Sequence, residues 1–142
     1  MFTKLIEVKN QDVENLIKRD LERTLIYTID ESGDMKIMEN QNKISKLYRI
    51  LKAYAIYDSE VSYMQGTNFI VAMLLTKIKS EKACFWIFYQ IMNRHGWRNF
   101  FIEGTPKLMK MLDILNYSIK EDLPKLYAHF EKENVNIFFF FF

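Results

Sequence analysis

Apolar residues recur three or four positions apart along most of the chain, which is the spacing that places side chains on one face of an α-helix. In the first such segment Val13, Ile17, Leu21 and Thr24 share a face. Six helices are predicted in this way, at residues 12–25, 44–58, 62–75, 80–96, 105–119 and 123–130. The third segment is apolar on all sides, so a buried strand is the competing interpretation there.

Polar and helix-breaking residues fall between these segments. Asn10 or Asp12 can cap the first helix, and Ser80 can cap the fourth. A Thr-Pro pair at residues 105–106 is typical of a helix start. Residues 28–42 are polar and show no sustained period, so we predict a loop there. The whole pattern predicts an all-α fold, an irregular bundle of about six helices.

The composition narrows the class of protein. With 142 residues, 49% of them hydrophobic and 27% charged, the chain resembles an ordinary globular domain with one core. The net charge of +2 with interspersed signs does not indicate nucleic acid as a partner. Cys84 is the only cysteine, which fits a reducing compartment. The N-terminus lacks the apolar stretch of a signal peptide, so we expect a cytoplasmic location.

A carboxylate interrupts the apolar face of the first predicted helix. Asp20 stands near the middle of that face, and Arg23 flanks it three positions later. Because burying an unpaired charge is costly, we expect Asp20 to be hydrogen-bonded or paired. The alternative is a surface ion pair worth a few tenths of a kcal/mol, and this spacing taken alone favours the alternative.

A second polar stretch, at residues 65–68, stands directly before an apolar helix. Gln65 offers a donor and an acceptor that could hold and orient a water molecule, while Gly66 lets the backbone approach another surface closely. The alternative is an ordinary polar helix start capped by Thr67 or Asn68. Taken alone, this stretch also favours the alternative.

The two stretches together resemble the signature motifs of the TBC family of Rab GTPase-activating proteins, in the same order. Residues 17–24 read Ile-x-x-Asp-x-x-Arg-Thr, and residues 63–68 read Tyr-x-Gln-Gly-x-Asn. Three flanking stretches are also similar to the family, at residues 47–57, 83–86 and 123–126. The similarity extends over about residues 13–136 and implies the N-terminal subdomain of a TBC-type fold.

The resemblance implies GTPase activation in trans by two catalytic side chains. Arg23 would be an arginine finger that neutralises the charge developing on the transferring phosphoryl group, and Gln65 a glutamine finger that orients the attacking water. The expected supporting residues position the arginine, permit close approach of the backbone and support the loop. They are Asp20, Gly66, Tyr63 and Asn68.

The implied partner is a Rab-family small GTPase in its GTP-bound form, in the setting of vesicle trafficking. The chain itself would need no cofactor and no metal site, because GTP and magnesium come with the GTPase. It would contribute catalytic residues to its partner instead of acting as a stand-alone enzyme. Membrane contact would be indirect, through the GTPase, at the periphery of endomembranes.

The resemblance weakens at both ends. Nothing before Asp12 provides the Arg-x-x-x-Trp of the family, and the family domain continues through a C-terminal helical half. We therefore expect residues 1–136 to be a partial TBC domain. We interpret residues 137–142, which are rich in phenylalanine, as the product of a truncated or misread reading frame, with a hydrophobic anchor or a docking tail as alternatives.

Two other functions stay open at this point. One is a non-catalytic Rab-binding or scaffold fragment that keeps both motifs and lacks the C-terminal half of the domain. The other is an unrelated helical bundle, in which Arg23 and Gln65 would lie on different faces.

Overall fold

The computed structural model describes residues 1–21, 24, 27–29, 35–37 and 41–135. Within these ranges the chain forms seven α-helices, namely α1 (Phe2–Glu7), α2 (Gln11–Leu21), α3 (Gln41–Tyr57), α4 (Thr67–Lys77), α5 (Glu81–Asn93), α6 (Pro106–Asp122) and α7 (Pro124–Lys132). A 3₁₀ helix, Trp97–Phe100, follows α5. The prediction of an all-α fold is confirmed, and α4 is a helix and not the competing strand.

Two elements differ from the sequence prediction. Strands β1 (Tyr27–Ile29) and β2 (Met35–Ile37) pair antiparallel, and both lie largely within the stretch predicted as a loop. That prediction was wrong for these residues, because three-residue strands are too short to show an alternating pattern. The short α1 was not predicted either.

Helix ends follow the predicted caps in two cases. The Val13 backbone N–H donates to Asn10 Oδ1 at 3.2 Å, so Asn10 caps α2. The Ala83 N–H donates to Ser80 Oγ at 3.3 Å, so Ser80 caps α5. Thr105 precedes Pro106 as predicted, but its side chain makes no capping hydrogen bond.

Residues Met1–Phe101 form one compact unit, and α3 is its central helix. This helix contacts α1, α2, α4 and α5. Its buried apolar residues are Leu47, Ile50, Leu51, Ala53, Tyr54 and Ala55, so with Lys52 the helix is buried on every side over residues 50–55, more widely than one apolar stripe predicts. The Tyr54 ring meets Phe88 of α5 edge to face at 4.7 Å, and Phe85 of α5 packs on Phe2 of α1 at 5.2 Å. Each large side chain buried in this way contributes about 1.5–3 kcal/mol.

Residues Ile102–Phe142 form the second compact unit. Its helices α6 and α7 contact each other, and Leu112 is the buried residue of α6. Pro124 starts α7, where the missing N–H of proline is tolerated. The phenylalanine-rich residues 137–142 lie outside the described residues.

Among the helices of the described ranges, none is long and apolar enough to cross a bilayer.

A cluster of polar side chains fixes α2 against α3. Lys52 Nζ of α3 lies 2.9 Å from Glu14 Oε1 of α2, and the Tyr48 hydroxyl donates to Glu14 Oε2 at 2.8 Å. Lys52 is only 7% exposed, so its charge requires a partner. The contact with Lys52, followed by the hydrogen bond from Tyr48, lowers the pKa of Glu14 to about 2. Burial and the same carboxylate raise the pKa of Tyr48 to about 12.

The Glu14 contact predicts a specific dependence of stability on pH. The folded-state pKa is lowered from 4.5 to about 2, so the contribution of Glu14 is complete above about pH 4.5 and is lost as the pH falls towards about 2. Glu14→Gln should be less stable than the wild type at neutral pH, and the gap should narrow in acid. Urea unfolding midpoints, followed by circular dichroism from about pH 7 to about pH 3, measure this.

Glu7→Gln is the matched control, because Glu7 is exposed and its side chain makes no hydrogen bond or ion pair with the described residues. It should follow the wild-type profile. A constant gap between Glu14→Gln and the wild type across this pH range would contradict the assignment.

Candidate functional site

Two buried hydrogen bonds join the end of α2 to the region where α4 begins. The Tyr63 hydroxyl donates to Asp20 Oδ2 at 2.8 Å, and Asn68 Nδ2 donates to Thr24 Oγ1 at 2.7 Å. The partners are 43 and 44 residues apart in sequence. All four residues are at most 8% exposed. The two motif stretches identified in the sequence are therefore held against each other by polar contacts inside the protein.

Asp20 occupies the position that its place on the apolar face predicted. It is 7% exposed and accepts the hydrogen bond from Tyr63, so the expectation of a buried, hydrogen-bonded carboxylate is confirmed. A hydrogen bond to a charged group contributes about 1.5–3 kcal/mol, and leaving such a group unpaired would cost more. Tyr63 is thus part of what makes a carboxylate tolerable at this position.

Thr24 was not among the predicted site residues, yet its hydroxyl is shared by both motifs. It donates to the Asp20 carbonyl oxygen at 2.6 Å and accepts from Asn68. Both capacities of the hydroxyl are used. The helix predicted to reach residue 25 has its last described helical residue at Leu21, and the Thr24 N–H donates to the Leu21 carbonyl. A threonine four positions after Asp20 on the same face was the available signal, because threonine hydroxyls often bond such carbonyls.

Gly66 adopts a backbone conformation that other residues rarely take. Its φ is +99°, and it precedes the first residue of α4. Its N–H donates to Asn68 Oδ1 at 3.0 Å. A Cβ here would lie 3.7 Å from the Phe101 ring, which is an ordinary contact. The turn, and not a lack of space, is what requires glycine at this position.

Gln65 lies at the exposed tip of the same turn. Its side chain makes no hydrogen bond with the described residues, so its amide presents both a donor and an acceptor to solvent. Neither Thr67 nor Asn68 caps α4 from outside. Both are helical residues of the first turn and are buried. The polar residues around Gln65 are thus engaged within the protein, while Gln65 itself is available to a second molecule.

Arg23 lies outside the described residues. Its neighbour in sequence, Thr24, and the nearby Asp20 are both described, and both are bonded to the second motif. The structure brings together four of the predicted site residues, Asp20, Tyr63, Gly66 and Asn68. The catalytic roles of Arg23 and Gln65 stay predictions.

No group of three or more histidine, cysteine, aspartate or glutamate side chains suited to a metal ion occurs in the part of the chain that the structure describes.

The Asp20 contact generates a stability prediction. Tyr63→Phe removes the hydroxyl that donates to a buried carboxylate, so the free energy of unfolding should fall by about 1.5–3 kcal/mol. Tyr117→Phe is the matched control, since Tyr117 is 66% exposed and should change stability by less than about 0.5 kcal/mol. Urea denaturation of the two variants measures the difference. Equal free energies of unfolding for Tyr63→Phe and Tyr117→Phe would show that the Tyr63 hydroxyl does not stabilise the fold in this way.

Comparison of the sequence with known proteins identifies a family. Residues 2–142 match the family model RabGAP-TBC, the Rab-GTPase-TBC domain. The chain is 33% identical over 123 residues to GTPase-activating protein GYP5 of Saccharomyces cerevisiae, which covers 87% of this chain and 12% of that protein. It is 32% identical over 121 residues to the Ecotropic viral integration site 5 protein homolog of Homo sapiens, and this match covers 85% of this chain and 14% of that protein.

A third relative, Rab GTPase-activating protein tbc-11 of Caenorhabditis elegans, is 35% identical over 119 residues, covering 83% of this chain and 12% of that protein. The chain thus spans 12% to 14% of the length of these three relatives. The family match covers nearly every residue, including both motifs. The chain belongs to the Rab-GTPase-TBC domain family.

Proposed function

We propose that this chain activates GTP hydrolysis by a Rab-family small GTPase, and that it does so with Arg23 and Gln65 acting together on one bound GTP. The observation that supports this most strongly is the pair of buried hydrogen bonds, Tyr63 to Asp20 and Asn68 to Thr24. These bonds hold the segment next to Arg23 against the segment that contains Gln65. Two side chains can serve one reacting phosphate only if their backbones are held in a fixed relation.

Arg23 supplies positive charge. A guanidinium is permanently cationic and presents several donors in a planar arrangement, which suits the oxygens of a transferring phosphoryl group. An arginine finger of this kind is worth about 10³–10⁵ in rate. Asp20 and Thr24 fix the chain on either side of this residue in sequence, and in this proposal Asp20 positions Arg23.

Gln65 orients the attacking water. Its exposed amide can accept a hydrogen bond from the water and donate to the phosphate at the same time. Tyr63 and Asn68 anchor the two sides of the turn through their buried contacts, and the left-handed backbone at Gly66 shapes it. The exposed side chain is thus carried on an anchored backbone, which is what a catalytic group acting on a second molecule requires.

GTP and magnesium are supplied by the GTPase in this proposal, so the chain contributes side chains and no cofactor of its own. The GTP-bound state is the binding partner because it carries the phosphate on which both fingers act. The chain would work in the cytoplasm and reach endomembranes through the GTPase. The names of the yeast and nematode relatives, a GTPase-activating protein and a Rab GTPase-activating protein, agree with this activity.

Single-turnover GTP hydrolysis by a panel of Rab proteins tests the proposal. The wild-type chain should accelerate hydrolysis by at least one member. Arg23→Ala should lower that acceleration by about 10³-fold or more. Gln65→Ala should lower it by roughly 10²-fold or more, because a positioned group that handles the attacking water contributes on that order.

Arg19→Ala is the matched control, since Arg19 is exposed on α2 four positions before Arg23 and occupies an unspecified position of the motif. It should leave the rate unchanged. A wild-type chain that accelerates no Rab would refute catalysis by this chain. If the wild-type chain nevertheless bound GTP-loaded Rab, the hypothesis of a non-catalytic scaffold would be correct.

A further inference from the structure

The chain between α3 and α4, residues 58–66, carries Gln65 and is called here the Gln65 loop. Its first residue, Asp58, is held by Arg98 of the 3₁₀ helix. Arg98 Nε donates to Asp58 Oδ2 at 2.7 Å, and Arg98 Nη2 donates to Asp58 Oδ1 at 2.9 Å. This is a two-pronged contact that only a guanidinium can make, and it fixes direction as well as distance.

The same guanidinium reaches a second residue of the Gln65 loop. Arg98 Nη2 also donates to Glu60 Oε2 at 2.5 Å. The contact with Arg98 lowers the pKa of the Asp58 carboxyl, and Asp58 followed by Glu60 raises the pKa of Arg98. The charges on Asp58 and Arg98 are therefore maintained across the ordinary pH range.

Asp58 passes this restraint on to its surroundings. Its carboxylate also accepts from the Val61 N–H at 3.3 Å and from the Tyr54 hydroxyl at 3.1 Å. The Ser62 N–H donates to the Asp58 carbonyl at 2.7 Å, and Ser62 has a φ of +54°, which is unusual for a residue with a side chain. Such a conformation persists only when the surrounding structure imposes it.

The chain directly after the 3₁₀ helix lies close to the other end of the Gln65 loop. A Cβ added at Gly66 would lie 3.7 Å from the ring of Phe101, the residue that follows this helix. One short segment of the chain therefore bonds to the start of the loop through Arg98 and lies close to its end through Phe101. Gln65 lies between these contacts and is exposed.

We infer that Arg98 is a positioning residue for Gln65, and that its contacts with Asp58 and Glu60 hold the loop in the shape that presents the glutamine to the GTPase. This inference rests on the proposed function of Gln65. Arg98 itself does not touch the reacting atoms. A displacement of about 1 Å in a catalytic group can cost about 10²-fold in rate, so a loosened loop should reduce catalysis without abolishing binding.

The first test compares Arg98→Met with the wild type in single-turnover GTP hydrolysis, measured over a range of chain concentrations up to saturation of the Rab protein. The maximal rate should fall roughly tenfold to a hundredfold, while the concentration of chain at half-maximal rate changes little. Arg98→Lys keeps the charge without the two-pronged contact, so its maximal rate should lie between those of the wild type and Arg98→Met. Arg94→Met is the matched control, because Arg94 is exposed and its side chain makes no hydrogen bond or ion pair with the described residues.

The decisive comparison adds Arg98→Met to Gln65→Ala. If Arg98 acts through Gln65, the double variant should be no slower than Gln65→Ala alone. Added to Arg23→Ala, the same change should still slow the reaction. The inference would be overturned if Arg98→Met slowed the Gln65→Ala variant by the same factor as it slows the wild type. A general structural defect gives that result.

A second measurement does not depend on catalysis. Amide hydrogen exchange of Arg98→Lys should be faster than that of the wild type at residues 58–66 and unchanged in α2 and α5. Unchanged protection in the Gln65 loop would overturn the inference even if the wild type is an active GTPase activator. If no Rab is accelerated, faster exchange confined to the loop would still support the structural part while the proposed function fails.

Discussion

The arrangement of this domain depends on two buried hydrogen bonds, from Tyr63 to Asp20 and from Asn68 to Thr24. Polar groups removed from water must find partners, and a carboxylate without one carries a large cost. The arrangement of the two segments in which these groups are hydrogen-bonded is therefore strongly favoured over others. The same bonds serve stability and geometry, because they join the neighbourhood of Arg23 to the turn that carries Gln65.

Two charged pairs extend this constraint into the core, and both involve α3 or the residue after it. Lys52 binds Glu14 and fixes α2. Asp58, which directly follows α3, binds Arg98 and fixes the loop towards α4. The central helix thus sets the position of both motif segments, and its own position is set by apolar packing against its neighbours. Apolar packing and the polar pairs both contribute stability, and the polar pairs also fix the register between the two motifs.

The sequence predicted the parts that depend on local pattern. Helical spacing predicted α2 to α7, and the position of Asp20 on an apolar face predicted that its carboxylate would be hydrogen-bonded or paired. The sequence could not predict that Tyr63 would be the partner of Asp20, because a bond between residues 43 positions apart depends on how the helices pack. Arg98 gave no signal at all, since its partners lie about forty residues earlier. Thr24 was visible in the motif, but its double hydrogen bond required the fold.

The central claim is that Arg23 and Gln65 act on one phosphate. The most direct measurement is a structure of this chain bound to a Rab carrying GDP and a planar fluoride mimic of the transferring phosphoryl group. The account predicts that the Arg23 guanidinium and the Gln65 amide both lie within about 3.5 Å of the mimic or of the water in line with it. Placement of the two side chains more than roughly 20 Å apart would contradict it, because one reacting phosphate cannot be served by both.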